Sequence, residues 1–185
     1  MKSILITNIS KYNLDTLSEF IESVGLFNVT VLVEPEHFTA AFEKFVNRYS
    51  LNVIIPLDCV EEGHNSVAAV EGRNPGFEAR VLAYPTNKIK LLRLAKRMPA
   101  HRSIIALAMS FPKIEIVVAR GPLIDSSFNN DVDFIVADEQ QNGKPGIITV
   151  TNDPFENYSV LDLELLVKLN FVKEKKEWLN VKMVE

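Results

Sequence analysis

Apolar and polar positions alternate in blocks along the chain, and the blocks change period. Ile4 to Ile9 is a short, continuously apolar run whose β-branched content predicts a buried strand. Asn13 stands where a helix cap belongs, and Leu14, Leu17, Ile21 and Val24 follow at helical spacing, ended by Gly25. Val29 to Val33 is a second strand. Pro35 suits a first helical position, and Phe38, Ala41, Phe42, Phe45 and Tyr49 form the next apolar face. Val53 to Leu57 is a third strand. Asp58 to Gly76 breaks the rhythm as a loop, with at most a turn of helix around Ser66 to Val70.

The stretch from Phe77 to Ser110 reads as strand, helix, strand. Phe77 to Tyr84 is the fourth expected strand and Ser103 to Ala108 the fifth. Between them, Leu91, Leu94, Ala95 and Met98 recur at helical spacing, with Pro99 as the stop. Ile114 to Ala119 fits either a strand or a helix. Val132 to Val136 and Ile147 to Val150 are strands, joined by a loop rich in turn residues. Ser159 is the expected cap of a last helix carrying Val160, Leu163, Leu166, Val167 and Leu169, and the charged tail from Lys173 to Glu177 is solvated.

Strands that are apolar throughout, alternating with helices, indicate parallel βαβ units covered by helices. The expected fold is a single α/β domain over residues 1–185, a small or distorted (β/α) barrel of seven to eight mostly parallel strands. An open parallel α/β sheet is the alternative.

Composition narrows the function. The chain is 47% hydrophobic and 24% charged, which is globular rather than disordered. Its net charge of −4 argues against a protein that coats nucleic acid. Charge is nevertheless uneven. No Asp or Glu lies between Glu78 and Glu115, while Arg80, Lys88, Lys90, Arg93, Lys96, Arg97, Arg102 and Lys113 do. On the expected helix, Lys90, Arg93 and Arg97 share a face with Lys96 beside them. That face is either solvated or a docking surface for phosphates or an acidic protein patch. Cys59 is the only cysteine, which fits a reducing compartment. The apolar runs are too short for a signal peptide or a membrane span, so a cytoplasmic protein is expected.

Catalytic chemistry is sparse. Neither GxGxxG nor GxxxxGK[ST] occurs, so nucleotide binding by a glycine-rich loop has no support. Asp58, Glu61, Glu62 and His64 follow a strand end and could join a divalent-metal site, although a polar surface loop is the stronger explanation. Cys59 beside His64 is read as a small buried hydrophobe rather than a nucleophile. Asp131, Asp133, Asp138 and Glu139 bracket a strand; a nuclease-like set wants a lysine just after it, and Lys144 lies beyond a turn, so a solvated or capping role is the stronger explanation. No catalytic residue, metal or cofactor is assigned, and a binding subunit is favoured over an autonomous enzyme.

The layout resembles the ribonuclease P protein component 3 family, as a divergent and shortened archaeal-type member. NLDTLSEFIESVGLFNVTVLV resembles that family's first helix and second strand. RVLAYPTNKIKLLRLAKRMPAHRSIIALAMS resembles its strand, asparagine, basic helix and following strand. VDFIV and KPGIITVTNDPFENYSVLDLELLVKLNFV resemble its later strand and its terminal strand, loop and helix. The chain departs from the family in its acidic charge, in a helix or two missing after residue 109, and at Asp153, where a small residue is usual. The resemblance implies a barrel without a metal centre. It implies a non-catalytic subunit supporting a catalytic RNA that removes 5′ leaders from precursor tRNA, with ribonuclease P RNA and other protein subunits as partners. Arg80, Lys88, Lys90, Arg93, Lys96, Arg97 and Arg102 would contact RNA or a protein partner.

Overall fold

Seven parallel strands form one sheet in the order β6-β5-β4-β3-β2-β1-β7. The computed structural model describes residues 3–24, 28–57, 66–94, 100–119 and 147–168. The strands are β1 (Ser3–Thr7), β2 (Val29–Leu32), β3 (Asn52–Pro56), β4 (Ile89–Leu94), β5 (Glu115–Ala119), β6 (Ile147–Thr151) and β7 (Tyr158–Asp162). The helices are α1 (Leu14–Val24), α2 (Ala40–Arg48), α3 (Ser66–Arg73), α4 (Phe77–Ala83), α5 (Ala100–Ser110) and α6 (Leu163–Lys168). All six ladders are parallel, running from Val31↔Val53 at the centre to Val117↔Thr149 and Leu5↔Val160 toward the edges.

Strands β1 to β6 advance across the sheet in one direction. Right-handed crossovers then place the described connecting helices on the same face. The main core matches this rule. Ile4, Ile6, Val31, Val53, Ile55, Leu91, Ile116 and Val118 meet Leu17, Phe42, Val70, Val81, Ile104 and Phe111 from the helices. The opposite face carries a small cluster of Leu5, Ile54, Leu92 and Ala119, covered by Phe155 and Tyr158.

That second face is the inside of a curl. β6 and β7 lie at opposite edges, six strand spacings apart, or about 29 Å if the sheet were flat. The chain from Thr151 to Tyr158 is seven residue steps long and reaches at most about 25 Å, part of it spent returning to the start of a strand. The sheet must therefore bend, and residues 152–157 cross its inner face. No ladder joins β6 to β7 among the described residues, so the sheet is open.

The expected order of elements is corrected between residues 77 and 110, where strand and helix are exchanged. Phe77–Ala83 is helix α4, because Phe77, Val81 and Tyr84 recur at i, i+4, i+7 and are all buried. The expected basic helix is strand β4 over its described part, with Ile89 and Leu91 facing the helices and Lys90 and Leu92 facing inward. Ala100–Ser110 is helix α5, burying Ile104, Leu107 and Ala108, with Phe111 buried just past its end. The cause is one missed element. The turn of helix around Ser66 is the full helix α3, and α3 with α4 makes the crossover that precedes β4. Once that crossover is read as a loop, strand and helix are exchanged up to residue 110; β5 and β6 fall again where strands are expected at Ile114 to Ala119 and Ile147 to Val150.

Other caps follow the residue chemistry. Asn13 Oδ1 accepts from the amide of Thr16 at 2.8 Å, as expected of a cap. Pro35 opens a single 3₁₀ turn rather than α2, whose cap is Thr39, with Oγ1 accepting from the Phe42 amide at 3.3 Å. Ser159 lies inside β7 and caps nothing. The last helix is capped by Asp162, whose Oδ1 accepts from the Glu164 amide at 2.9 Å.

Helix α4 begins at Gly76, whose φ of +85° is the left-handed region that favours glycine. Glu71 on α3 accepts hydrogen bonds from the amides of Glu78 and Gly76, and these bonds hold its carboxyl below the ordinary 4.5. A depressed carboxyl contributes stability above its unfolded value, and that contribution is lost as pH falls through its folded value. Glu71→Gln is expected to lower the urea midpoint at pH 7. The gap to wild type should close as the pH is taken below 4.5. A gap that stays constant with pH would show that this carboxylate does not cap α4.

Candidate functional site

The basic residues do not share one face. Arg80 is held within the fold. Its Nε donates to the Phe38 carbonyl at 3.0 Å, and its Nη2 donates to the Pro75 carbonyl at 3.1 Å and to Asn74 Oδ1. Arg93 is buried on the helix-covered face, with Nη1 donating to the Leu57 carbonyl at 2.8 Å. Lys88 closes the 3₁₀ turn before β4, and its Nζ donates to the Ser50 carbonyl at 3.0 Å. Lys90 faces inward, its Nζ 3.9 Å from Glu115 Oε2 on the neighbouring strand. Lys96 and Arg97 lie outside the described residues, as does the side chain of Arg102 on α5. The structure thus brings Lys88 and Lys90 together and takes Arg80 and Arg93 into the fold's own bonding.

The inner face of the sheet supplies the clearest site. A cavity of about 330 Å³ is bounded by Lys90, Leu92, Glu115, Val117, Thr149 and Thr151 from the strands and by Asp153 to Tyr158 from the crossing segment. A second cleft of about 210 Å³ opens at the N-terminal ends of β1 to β4. It is lined by Ser3, Asn28, Thr30, Asn52, Val53, Ile54, Asn87, Lys88, Lys90 and Tyr158. The two share Ser3, Ile54, Lys90 and Tyr158. A sheet interior built for packing alone is filled with Val, Ile and Leu. Here it holds a lysine, a glutamate, an asparagine and several hydroxyls. The fold places them there by alternation: Lys90 and Leu92 point inward because Ile89 and Leu91 are required by the helices.

A metal-ligand grouping lies elsewhere. Glu34, Glu36 and His37, just after β2, bring one ligand atom each within 4.8 Å of one another. His37 Nε2 stands 3.7 Å from Glu34 Oε2. Carboxylate oxygens and an imidazole suit a divalent transition metal. Sequence reasoning misses this set, although Glu-Pro-Glu-His after a strand end is a visible signal. The loop weighed as a weak metal candidate, with Asp58, Glu61, Glu62 and His64, lies outside the described residues, as does Cys59. So do Asp131, Asp133, Asp138, Glu139, Lys144, the expected strand Val132 to Val136 and the tail from Lys173.

What the fold defines is an all-parallel α/β protein whose described helices cover one face of the sheet, with a small apolar cluster beside polar side chains on the inner face. No family model, curated protein or solved structure matches the chain. No helix among the described residues is long and apolar enough to cross a membrane.

Proposed function

We propose that this chain is a non-catalytic protein subunit of ribonuclease P, supporting the catalytic RNA in removing 5′ leaders from precursor tRNA in the cytoplasm. The observation that carries the reading is the strand order. Six strands each pair with their neighbour in sequence, and the last pairs with the first, all parallel. That succession is the one a (β/α) barrel opened at one seam would have, and a barrel is what the resemblance implies. In this reading the barrel is completed in the full particle. Lys88, Lys90, Lys96, Arg97 and Arg102 form the contact set for RNA or a partner subunit, and Arg80 and Arg93 serve the fold.

The test is affinity purification from the native host at moderate salt, with sequencing of co-eluting RNA and identification of co-eluting proteins. Ribonuclease P RNA with its protein subunits is the expected recovery. A clean protein without RNA would overturn the reading. Phosphate contacts position RNA without reading its sequence. Reversal of Lys96 and Arg97 to glutamate should therefore weaken RNA retention evenly and reduce its salt dependence.

A second reading, a small metal-dependent phosphoesterase, draws on Glu34, Glu36 and His37 at the carboxyl end of β2, where barrel enzymes gather their chemistry. Hydrolysis of a generic phosphoester that needs a divalent metal and is lost in His37→Ala would favour it over the first.

A further inference from the structure

We propose that the cleft at the N-terminal ends of β1 to β4 binds a phosphate group, with Lys88 and Lys90 as its two cations. The inference does not depend on the ribonucleoprotein reading. It rests on the composition and geometry of the cleft.

The chain carries 24 Asp and Glu against 20 Lys and Arg, yet among the described residues no carboxylate lines this cleft. Its polar groups are two ammonium groups, three asparagine amides and the hydroxyls of Ser3, Thr30 and Tyr158. Thr30 is almost wholly buried, and it is the one buried polar residue, among those described, that lines the cleft. The donors are held in place before any ligand arrives. Asn52 Nδ2 donates to Asn28 Oδ1 at 2.7 Å, and Asn28 Nδ2 donates to Ser3 Oγ at 2.9 Å. This chain of bonds spans the starts of three strands. Each of these two amides commits one hydrogen and keeps a second, and Ser3, which accepts, keeps its hydroxyl hydrogen for a ligand.

The charge count selects the ligand. A phosphate monoester carries roughly −1.5 to −2 at neutral pH, with three terminal acceptor oxygens. Two ammonium groups, one of them shared with Glu115, and several neutral donors match its charge and its three acceptor oxygens, more acceptors than a carboxylate offers. Glu115 lines the adjoining cavity and draws on Lys90 from 3.9 Å, beyond hydrogen-bond range, so that lysine can turn to a stronger acceptor. The cleft is too small for a duplex and large enough for the phosphate end of a small ester or of a nucleic-acid strand. It opens on the side of the sheet opposite the usual catalytic edge of α/β folds, which makes it a binding site rather than a centre of reaction.

The test is calorimetric titration of the full chain with inorganic phosphate at constant ionic strength, with chloride titrated in parallel. Saturable binding of one phosphate is expected. Lys90→Met should weaken it at least about tenfold, and Lys88→Met several-fold. Glu115→Gln should tighten it several-fold, since it removes the competing charge, an effect that mere structural damage would not produce. Lys44→Met, an exposed lysine on α2, should leave it unchanged. If Lys90→Met does not fold, the opposite shifts in Lys88→Met and Glu115→Gln decide the matter. No saturable binding up to roughly 10 mM, an equal response to chloride, or equal affinity in the Lys88 and Glu115 variants would each overturn the proposal. Competition then identifies the source. Displacement by ribose 5-phosphate assigns a small ester, and displacement only by a 5′-phosphorylated oligoribonucleotide assigns the end of a nucleic-acid strand.

Discussion

Phe38→Ala is expected to remove about 3–5 kcal/mol of folding stability. Phe38 has no exposed surface and sits just before α2, where the chain leaves the 3₁₀ turn. Its ring meets Phe42, Phe77 and Tyr84 edge-on, with centroids 6.5, 6.4 and 6.2 Å away. It therefore ties α2 to both ends of α4 in one aromatic cluster. Truncation removes the transfer free energy of the ring and leaves a cavity that three fixed neighbours cannot fill. A domain of this kind has only about 5–15 kcal/mol in total, so the variant should be near its unfolding threshold. Urea unfolding with an unchanged slope and a much lower midpoint is the expected record. Leu82→Ala, at an exposed position on the same α4, should stay within about 0.5 kcal/mol of wild type. A loss below about 1 kcal/mol for Phe38 would mean that the cluster is not packed as described.

Asn74→Ala is expected to cost about 2–4 kcal/mol, because it strands several buried polar groups at once. The Asn74 Nδ2 donates to the carbonyls of Pro35 and Phe38 at 2.9 and 3.1 Å, and its Oδ1 accepts from Arg80. Arg80 in turn donates to the Phe38 carbonyl. The pair thus satisfies the backbone of the turn after β2 from the helices before β4. A double-mutant cycle with Arg80→Ala should give a coupling of about 1 kcal/mol or more, as expected for residues in one network. The same cycle separates two roles for Arg80. A structural arginine loses stability on truncation, whereas an arginine kept for RNA or a partner would lose binding at unchanged stability.

Much of the first half was legible because each element there has one period. Ile4 to Ile6, Val29 to Val31 and Val53 to Ile55 are apolar at nearly every position, and all lie in the sheet. Asn13 caps α1 as its chemistry suggests, and Phe42 and Phe45 form the buried side of α2. From residue 77 the local signal has two solutions. In IKLLRL, Ile89 and Leu91 fit a strand, while Leu91 and Leu94 fit a helix that continues to Met98. In FEARVLAY, an apolar residue lies close enough to every polar one to pass for a strand. Six residues cannot decide between the two periods. Pairing decides it: β4 completes ladders on both sides, with Val53↔Ile89 and Leu91↔Ile116.

The candidate site was half legible. The absence of acidic residues between Glu78 and Glu115 marked Lys88 and Lys90 as members of a basic region. Their partners could not be found that way, since Ser3, Asn28 and Asn52 stand at the starts of three other strands and carry no local signal. A parallel α/β arrangement, its early elements and the Asn13 cap are written in the order of residues alone, because periodicity and capping involve groups within a turn or two of each other. The order of strands, the bend forced by the short passage from Thr151 to Tyr158, and the choice of which lysine faces inward are settled only when the chain is folded. Those depend on hydrogen bonds between residues far apart in the chain, and a shift of one residue in a strand sends every side chain to the other face.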